Sequence, residues 1–354
     1  MSEFCFLAFA NPIPGTAWQR DLTPAIQFLY NGFMKKIFRR WPALAVLLAL
    51  PLTAGVSGYR IFFARATLAD GTPGIIIRQF LRNELASYLL VHPLTLASEI
   101  IPASGLKTKT AALGDLLKEF AASPYARALA AAAQNAKKLQ DAGITHSLPE
   151  ERGISLTIDL CPSQKPLDRY LFSDILAAFG RVERPIPLAI AVSGLWMEKH
   201  PADLNWLLEL AHSNQITVDW INHSYHHQYD PRLPLRRNFL LEKGVDLNME
   251  ILKTEQKMIE CGLTPSVFFR FPGLVSDKGE FTRVLAYGLI PVGSDAWLAK
   301  KQKPGAGSIV LIHGNGNEPL GIAKFLILVR QEQTAIKNKN WLLYDLRDSL
   351  AQLE

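Results

Sequence analysis

Between residues 154 and 314 short apolar runs alternate with amphipathic segments, and no other feature of this 354-residue chain constrains its fold as strongly. Repeated strand–helix units favour a parallel sheet or barrel whose helices lie on the outside. We therefore expect residues 151–354 to form one α/β domain with a barrel-like parallel sheet. The predicted strands are 154–160, 186–194, 216–222, 266–273, 289–295 and 307–314.

Polar residues interrupt these runs where the predicted strands end. In parallel α/β folds the working residues gather at the carboxyl ends of the strands. A structural role is the simpler interpretation of any one of them, but several metal-binding or proton-transferring side chains in the same relative place indicate a site. The candidates are Asp159, Asn222 with His223, Arg270, Asp295 and His313.

The segment INHSYHHQ (221–228) holds three of the eight histidines of the chain. His223 and His227 are four residues apart, so a helical turn, or a loop that curves like one, would bring both rings to one side. Neutral imidazole is a common ligand of zinc and other first-row metals. His226 would point elsewhere. The spacing alone is a weak signal, and the ordered set of strand-end residues is what strengthens it.

Five ordered motifs make the region from about Ile154 to Leu326 resemble the polysaccharide deacetylases of the NodB-homology type, carbohydrate esterase family 4. The motifs are TIDLCPS (157–163), HSYHH (223–227), RFPG (270–273), SDAW (294–297) and LIH (311–313). The resemblance implies a distorted (β/α) barrel with fewer than eight complete units. It also implies metal-assisted removal of acetyl groups from the N-acetylated sugars of a cell-wall or extracellular polysaccharide.

Roles transfer with the resemblance to the matching positions of this chain. It implies that His223 and His227 bind a divalent metal, which is zinc or alternatively cobalt, nickel or manganese. Asp159 would be the general base, oriented by Arg270. His313 would be the general acid, with Asp295 as its partner.

The resemblance also implies a substrate pocket. The backbone after Pro272 would donate a hydrogen bond to the oxyanion, and Trp297 and Leu311 would wall the acetyl group. Such donors act where negative charge develops in the transition state.

One position departs from the family pattern, because Leu160 stands where the second, metal-binding aspartate of the first motif is expected. Asp159 itself, another carboxylate such as Asp219 or Asp168, or Cys161 would then complete the metal shell. An inert buried thiol is the simpler interpretation of Cys161. If no metal binds, the domain is instead a catalytically inactive carbohydrate-binding protein on the same scaffold. A third alternative is hydrolysis of another small C–N bond.

Residues 34–58 have the pattern of a secretory signal. Four cations flank an apolar run that ends in small residues, which is typical of a signal peptide or an uncleaved membrane anchor, whereas a buried core helix would not carry such a flank. We therefore expect an exported protein, periplasmic, cell-envelope or membrane-anchored. Residues 1–33 have no evident purpose before such a signal, and we expect translation to start at Met34.

Residues 59–150 carry few motifs, and their apolar spacing predicts helices, as in GIIIRQFLRNELASYLL (74–90) and the alanine-rich segment 110–143. The composition argues against several other classes of protein. A net charge of +6 without extended Lys/Arg blocks gives no reason to expect nucleic-acid binding. Three cysteines without a CxxC exclude a disulfide scaffold and a zinc ribbon. The oligomeric state is not predicted.

Overall fold

The computed structural model of the protein describes residues 55–149 and 152–352. The proposed extension 1–33 and nearly all of the proposed signal segment 34–58 lie outside these ranges. Residues 56–58 already belong to the first strand. Within the described ranges, no helix combines the length and the hydropathy that crossing a bilayer requires.

Residues 153–343 contain the predicted parallel sheet, whose strand order is β10-β9-β8-β7-β6-β12-β11, with β13 pairing to the start of β6. Each pairing in this sheet is parallel. The sheet forms an incomplete barrel with helices outside, which confirms the predicted distorted (β/α) barrel. Its strands are β6 (Gly153–Leu160), β7 (Ile186–Val192), β8 (Ile216–Asn222), β9 (Pro265–Phe269), β10 (Ile290–Pro291), β11 (Ala296–Trp297), β12 (Ile309–His313) and β13 (Leu342–Leu343).

Helices connect these strands and cover the barrel. Several begin at residues whose side chains accept from the first turn, as Asp168 does from the backbone N–H of Leu171 and Asp277 from that of Glu280. A short π-helix (Asn248–Leu252) leads into one of them. The barrel helices are α3 (Arg169–Phe179), α4 (Gly194–Lys199), α5 (Pro201–His212), α6 (Lys253–Glu260), α7 (Lys278–Ala286), α8 (Pro319–Gln331), α9 (Gln333–Lys337) and α10 (Leu346–Ala351).

The predicted helical character of residues 59–150 is wrong over most of its length. Residues 56–110 form an antiparallel sheet in the order β4-β3-β2-β1-β5, and only then do helices α1 (Leu113–Glu119) and α2 (Pro124–Gln134) follow. The strands are β1 (Val56–Thr67), β2 (Pro73–Arg82), β3 (Leu85–Val91), β4 (Ser98–Pro102) and β5 (Lys107–Thr110).

The segment 74–90 shows why the pattern misled. It is a hairpin, and the start of β2 is buried on both faces, so it has a continuous apolar run in place of the alternation that marks a half-buried strand. The turn falls at Asn83 and Glu84, both with left-handed φ (49° and 65°). The turn contains no glycine, so the sequence signal for a hairpin is weak.

The two largest apolar clusters join most of the described elements. One lies between the barrel strands and the outer helices. The other joins the antiparallel sheet and α2 to the barrel, with Ile75, Phe80 and Leu129 in the same cluster as Phe268 and Ile290. The segment 140–147 adds isolated bridges to Val275, Val292 and Ser308. The first strands are therefore part of the same packed unit as the barrel.

Candidate active site

The parallel register brings the predicted strand-end residues together, with the exception of Asp295. Asp159 on β6 and His313 at the end of β12 are paired across neighbouring strands. Asn222 ends β8 and is paired with Phe269, so Arg270 follows β9 at the same edge of the sheet. These side chains lie at one rim of the barrel, as expected from the sequence.

The loop after β8 is held in a fixed shape rather than a helical turn. Ser224 and His227 both have left-handed φ (64° and 49°). Glu250, from the π-helix, accepts hydrogen bonds from the backbone N–H groups of Tyr225 and His226, and its other oxygen lies 2.7 Å from His226 Nδ1. The ring of His226 is thus engaged away from His223 and His227, as predicted.

Three potential metal-binding side chains converge beneath the rim. One donor atom each of Cys161, His223 and His227 lies within 4.8 Å of the other two. His223 Nδ1 lies 2.9 Å from the carbonyl oxygen of Arg270, to which it donates as the Nδ1–H tautomer. That leaves Nε2 of His223 as an acceptor, 3.5 Å from Cys161 Sγ and 3.6 Å from Asp159 Oδ2.

These donors fit a divalent metal ion. Thiolate and imidazole are the usual ligands of zinc, and three protein ligands leave a position for water or substrate. Within residues 55–149 and 152–352, His227 Nε2 and Asp159 Oδ1 are buried without a hydrogen-bond partner. Buried polar atoms are usually paired, so two unpartnered ones beside the cluster suggest that the site receives a further group.

The other suggested carboxylates are engaged elsewhere. Asp219 lies 2.9 Å from the Arg347 guanidinium, and Asp168 caps α3. Leu160 is fully buried in the apolar cluster between the sheet and the outer helices. Cys161 is therefore the residue that the sequence reasoning undervalued. The signal was present, because alternation along a strand puts residues 157, 159 and 161 on one face.

Arg270 and Asp159 face each other as predicted. The Arg270 guanidinium is fully buried, with Nη2 donating to Thr157 Oγ1 at 2.9 Å and Nη1 lying 3.9 Å from Asp159 Oδ1. At that distance Arg270 attracts the carboxylate without occupying the oxygen atom. Asp159 Oδ1 therefore stays available to accept a proton.

Glu318 is the partner of His313. Its Oε2 lies 2.8 Å from His313 Nδ1 and accepts a hydrogen bond from Trp297 Nε1 at 2.7 Å. The centroids of the Trp297 and His313 rings are 6.0 Å apart. Glu318 precedes α8 in a loop, where no local pattern marks it, and the sequence reasoning missed it.

The predicted pairing of Asp295 with His313 is wrong. Asp295 Oδ1 accepts from the backbone N–H of Ile309, at the start of β12, and Oδ2 lies 2.7 Å from His146 Nδ1. His313 is at the other end of the same strand, about 13 Å away at the usual rise per residue. Because β11 is only two residues long and begins at Ala296, Asp295 lies at the amino end of the sheet.

Burial and neighbouring charge set the protonation of the site. Burial lowers the pKa of His223, which favours the neutral ring that binds metals. Burial also opposes charge on His313, but the thiolate form of Cys161 and the Glu318 carboxylate outweigh it and raise the pKa of His313 well above its usual range. Burial alone would raise the pKa of Cys161, yet His227 and His313 lower it to about 7.

A cleft of about 670 Å³ opens above these groups. Trp297 and Leu311 line it, as predicted for the acetyl pocket, and they belong to one small apolar cluster with Leu274. Pro272, predicted for the pocket, is buried and does not line the cleft, whereas Gly273 after it does, with φ of 61°. The remaining lining includes Asp159, Cys161, His227, Tyr229, Phe239, Lys300, His313, Asn317 and Glu318.

Gly273 has a second reason to be glycine. A Cβ there would come within 2.5 Å of the Phe239 ring. The position therefore excludes side chains on grounds of both backbone conformation and space. The backbone of Gly273 lines the cleft without a side chain.

No protein-family model matches the chain. Its structure is similar to those of family 4 carbohydrate esterases, the family that the five motifs resemble. PdaA from Bacillus subtilis has 14% identity over 70% of this chain and 92% of its own, with a TM-score of 0.43. An esterase from Streptomyces lividans in complex with acetate has 17% identity over 54% and 91%, with a TM-score of 0.37. A pseudoenzyme of the family from Bacillus anthracis has 19% identity over 60% and 70%, with a TM-score of 0.39. Likeness at this level assigns no activity or substrate to this chain.

Proposed function

We propose that this protein is a divergent, exported family 4 carbohydrate esterase that removes acetyl groups from N-acetylated sugars of a cell-wall or extracellular polysaccharide. The observation that carries the proposal is the convergence of a carboxylate, two imidazoles suited to bind a metal and a third histidine with its own carboxylate in or directly beside one cleft. This is the set of groups that metal-assisted amide hydrolysis needs.

In this proposal His223 and His227 hold a divalent metal. When bound there, such an ion would act as a Lewis acid toward an acetyl carbonyl and would lower the pKa of a water molecule. Asp159 takes the proton of the attacking water through its unpartnered Oδ1. Arg270 keeps the carboxylate oriented through the ion pair at 3.9 Å.

Collapse of the tetrahedral intermediate requires a proton for the leaving amine. His313 lies beside Asp159 on the neighbouring strand and carries that proton, which its surroundings favour. The backbone N–H of Gly273 stabilises the oxyanion, and Trp297 and Leu311 surround the acetyl methyl group. The roughly 670 Å³ cleft admits a sugar ring above this pocket.

The decisive experiment compares the full chain with its His223→Ala and His227→Ala variants. We expect each variant to lose more than about 100-fold in metal affinity, because even an outer-shell partner is worth about 10–100-fold. Acetate release from N-acetylglucosamine oligomers should fall to background in both. The measurements are metal content by mass spectrometry and acetate by a coupled assay.

His226→Ala is the matched control, since its ring contacts Glu250 rather than the cluster. It should keep both metal and activity. A chelator should abolish acetate release by the unaltered protein, and added zinc should restore that activity. Glycan binding without metal and without acetate release would instead support the inactive carbohydrate-binding protein.

The Glu318→Gln substitution is expected to lower kcat by about 10–100-fold with little change in KM or metal content. The neutral amide keeps the shape of Glu318 but removes the charge that stabilises protonated His313. Steady-state kinetics on the same oligomers measure the effect. Glu332→Gln, at the other end of α8, is the matched control, and an unchanged kcat in Glu318→Gln would show that His313 works without this partner.

A further inference from the structure

We infer that Cys161 is the third protein ligand of this metal site, so that the ion is held by one thiolate and two imidazoles. The inference rests on the metal-dependent function proposed above and specifies its ligand set. Its geometric basis is the cluster in which donor atoms of Cys161, His223 and His227 all lie within 4.8 Å of one another.

The strand geometry selects Cys161 over its neighbour. Leu160 points into the apolar cluster, where its side chain lies near Gly314 and close to Ile158 and Leu167. Cys161 points to the opposite side, lines the cleft and is 7% exposed. A carboxylate at position 160 would be buried among aliphatic side chains, whereas a donor at position 161 reaches the histidines.

The backbone around Cys161 is fixed in place. Asn315 Nδ2 donates to the Cys161 carbonyl at 2.9 Å, and the Ser193 hydroxyl donates to the carbonyl of Leu160 at 3.1 Å. On the other side, the Arg270 carbonyl fixes the His223 ring so that Nε2 faces Cys161. The His227 and Phe239 rings pack edge to face, with their centroids 5.6 Å apart. Such outer contacts orient ligands before an ion binds.

A sulfur donor changes which metals the site prefers. Thiolates favour zinc, cobalt and other soft or borderline ions, while carboxylates suit manganese and magnesium. Binding also requires that the thiol lose its proton to solvent. The site should therefore take zinc or cobalt(II) in preference to manganese or magnesium, and release a proton on binding.

Cobalt(II) bound to the full chain tests this directly, because a cobalt–thiolate bond gives a charge-transfer absorption band in the near ultraviolet. We expect the band in the unaltered protein and its loss in Cys161→Ser. Cys161→Asp should bind cobalt without the band and shift the zinc-to-manganese affinity ratio toward manganese by at least about ten-fold. Circular dichroism checks that each variant is folded.

Cys261→Ser is the matched control and should retain the band. Cobalt bound to the unaltered protein without a thiolate band, or no cobalt bound at all, would overturn the inference. A band that survives in Cys161→Ser would do so as well. Acetate release is read separately: a band with no acetate release leaves the ligand assignment standing and counts against the hydrolase.

Discussion

Asp159→Asn is expected to lower kcat for acetate release by about 10²–10⁴-fold, the range that general base catalysis contributes. The amide preserves the size of the side chain, but it cannot take a proton from water. Because Cys161, His223 and His227 supply the metal donors, we expect the variant to keep its bound metal. The pair of measurements is kcat and metal content on the same preparation.

This design separates the two roles that the sequence left open for Asp159. Loss of activity with metal retained supports the base, whereas loss of both would make Asp159 a ligand. Asp174→Asn, exposed on α3, is the matched control and should alter neither quantity. Activity close to that of the unaltered protein in Asp159→Asn would remove the base from the proposed mechanism.

Arg78→Leu is expected to lower the free energy of unfolding by about 3–5 kcal/mol, the cost of leaving one partner of a buried ion pair alone. Arg78 on β2 and Glu255 on α6 are both fully buried, and two nitrogens of the guanidinium contact the carboxylate at 2.7 and 3.0 Å. Arg78 Nη1 also donates to the carbonyls of Ile77 and Tyr287. The Tyr59 hydroxyl donates a hydrogen bond to the same carboxylate at 3.1 Å.

Denaturant unfolding followed by circular dichroism measures the loss. The double variant Arg78→Leu/Glu255→Leu should recover part of it, because the unpaired carboxylate is then removed as well. Arg60→Leu is the matched control, since its guanidinium pairs with Gln79 at the exposed surface of the same sheet. An effect in Arg78→Leu no larger than in Arg60→Leu would show that the buried pair contributes little.

The barrel was predictable because its signals are local. Buried parallel strands are continuous apolar runs of four to eight residues, and the helices between them carry caps such as Asp168 and Asp277. The antiparallel sheet was not predictable by the same rule, since the start of β2 is an apolar run buried on both faces and the turn at Asn83–Glu84 lacks glycine. Pattern analysis therefore assigned a helix to a hairpin.

The site divides in a similar way. Asp159, His223, Arg270 and His313 follow or end strands, so the carboxyl-end rule places them correctly. Glu318 reaches His313 from a loop, and the distance between them depends on how that loop folds rather than on any spacing in the sequence. The prediction for Asp295 was wrong because this residue precedes the two-residue strand β11 and therefore lies at the opposite edge of the sheet. The boundaries of so short a strand are difficult to predict from the sequence.

The apolar cluster that the antiparallel sheet shares with the barrel bears on how the protein can be handled. A recombinant fragment that starts at the motif-bearing region, near residue 151, would lack Ile75, Phe80 and Leu129 and would leave Phe268 and Ile290 facing water. The Glu255 carboxylate would also lose its partner, the Arg78 guanidinium. We therefore expect the barrel region not to fold alone, and a recombinant chain should include the strands from Val56 onward.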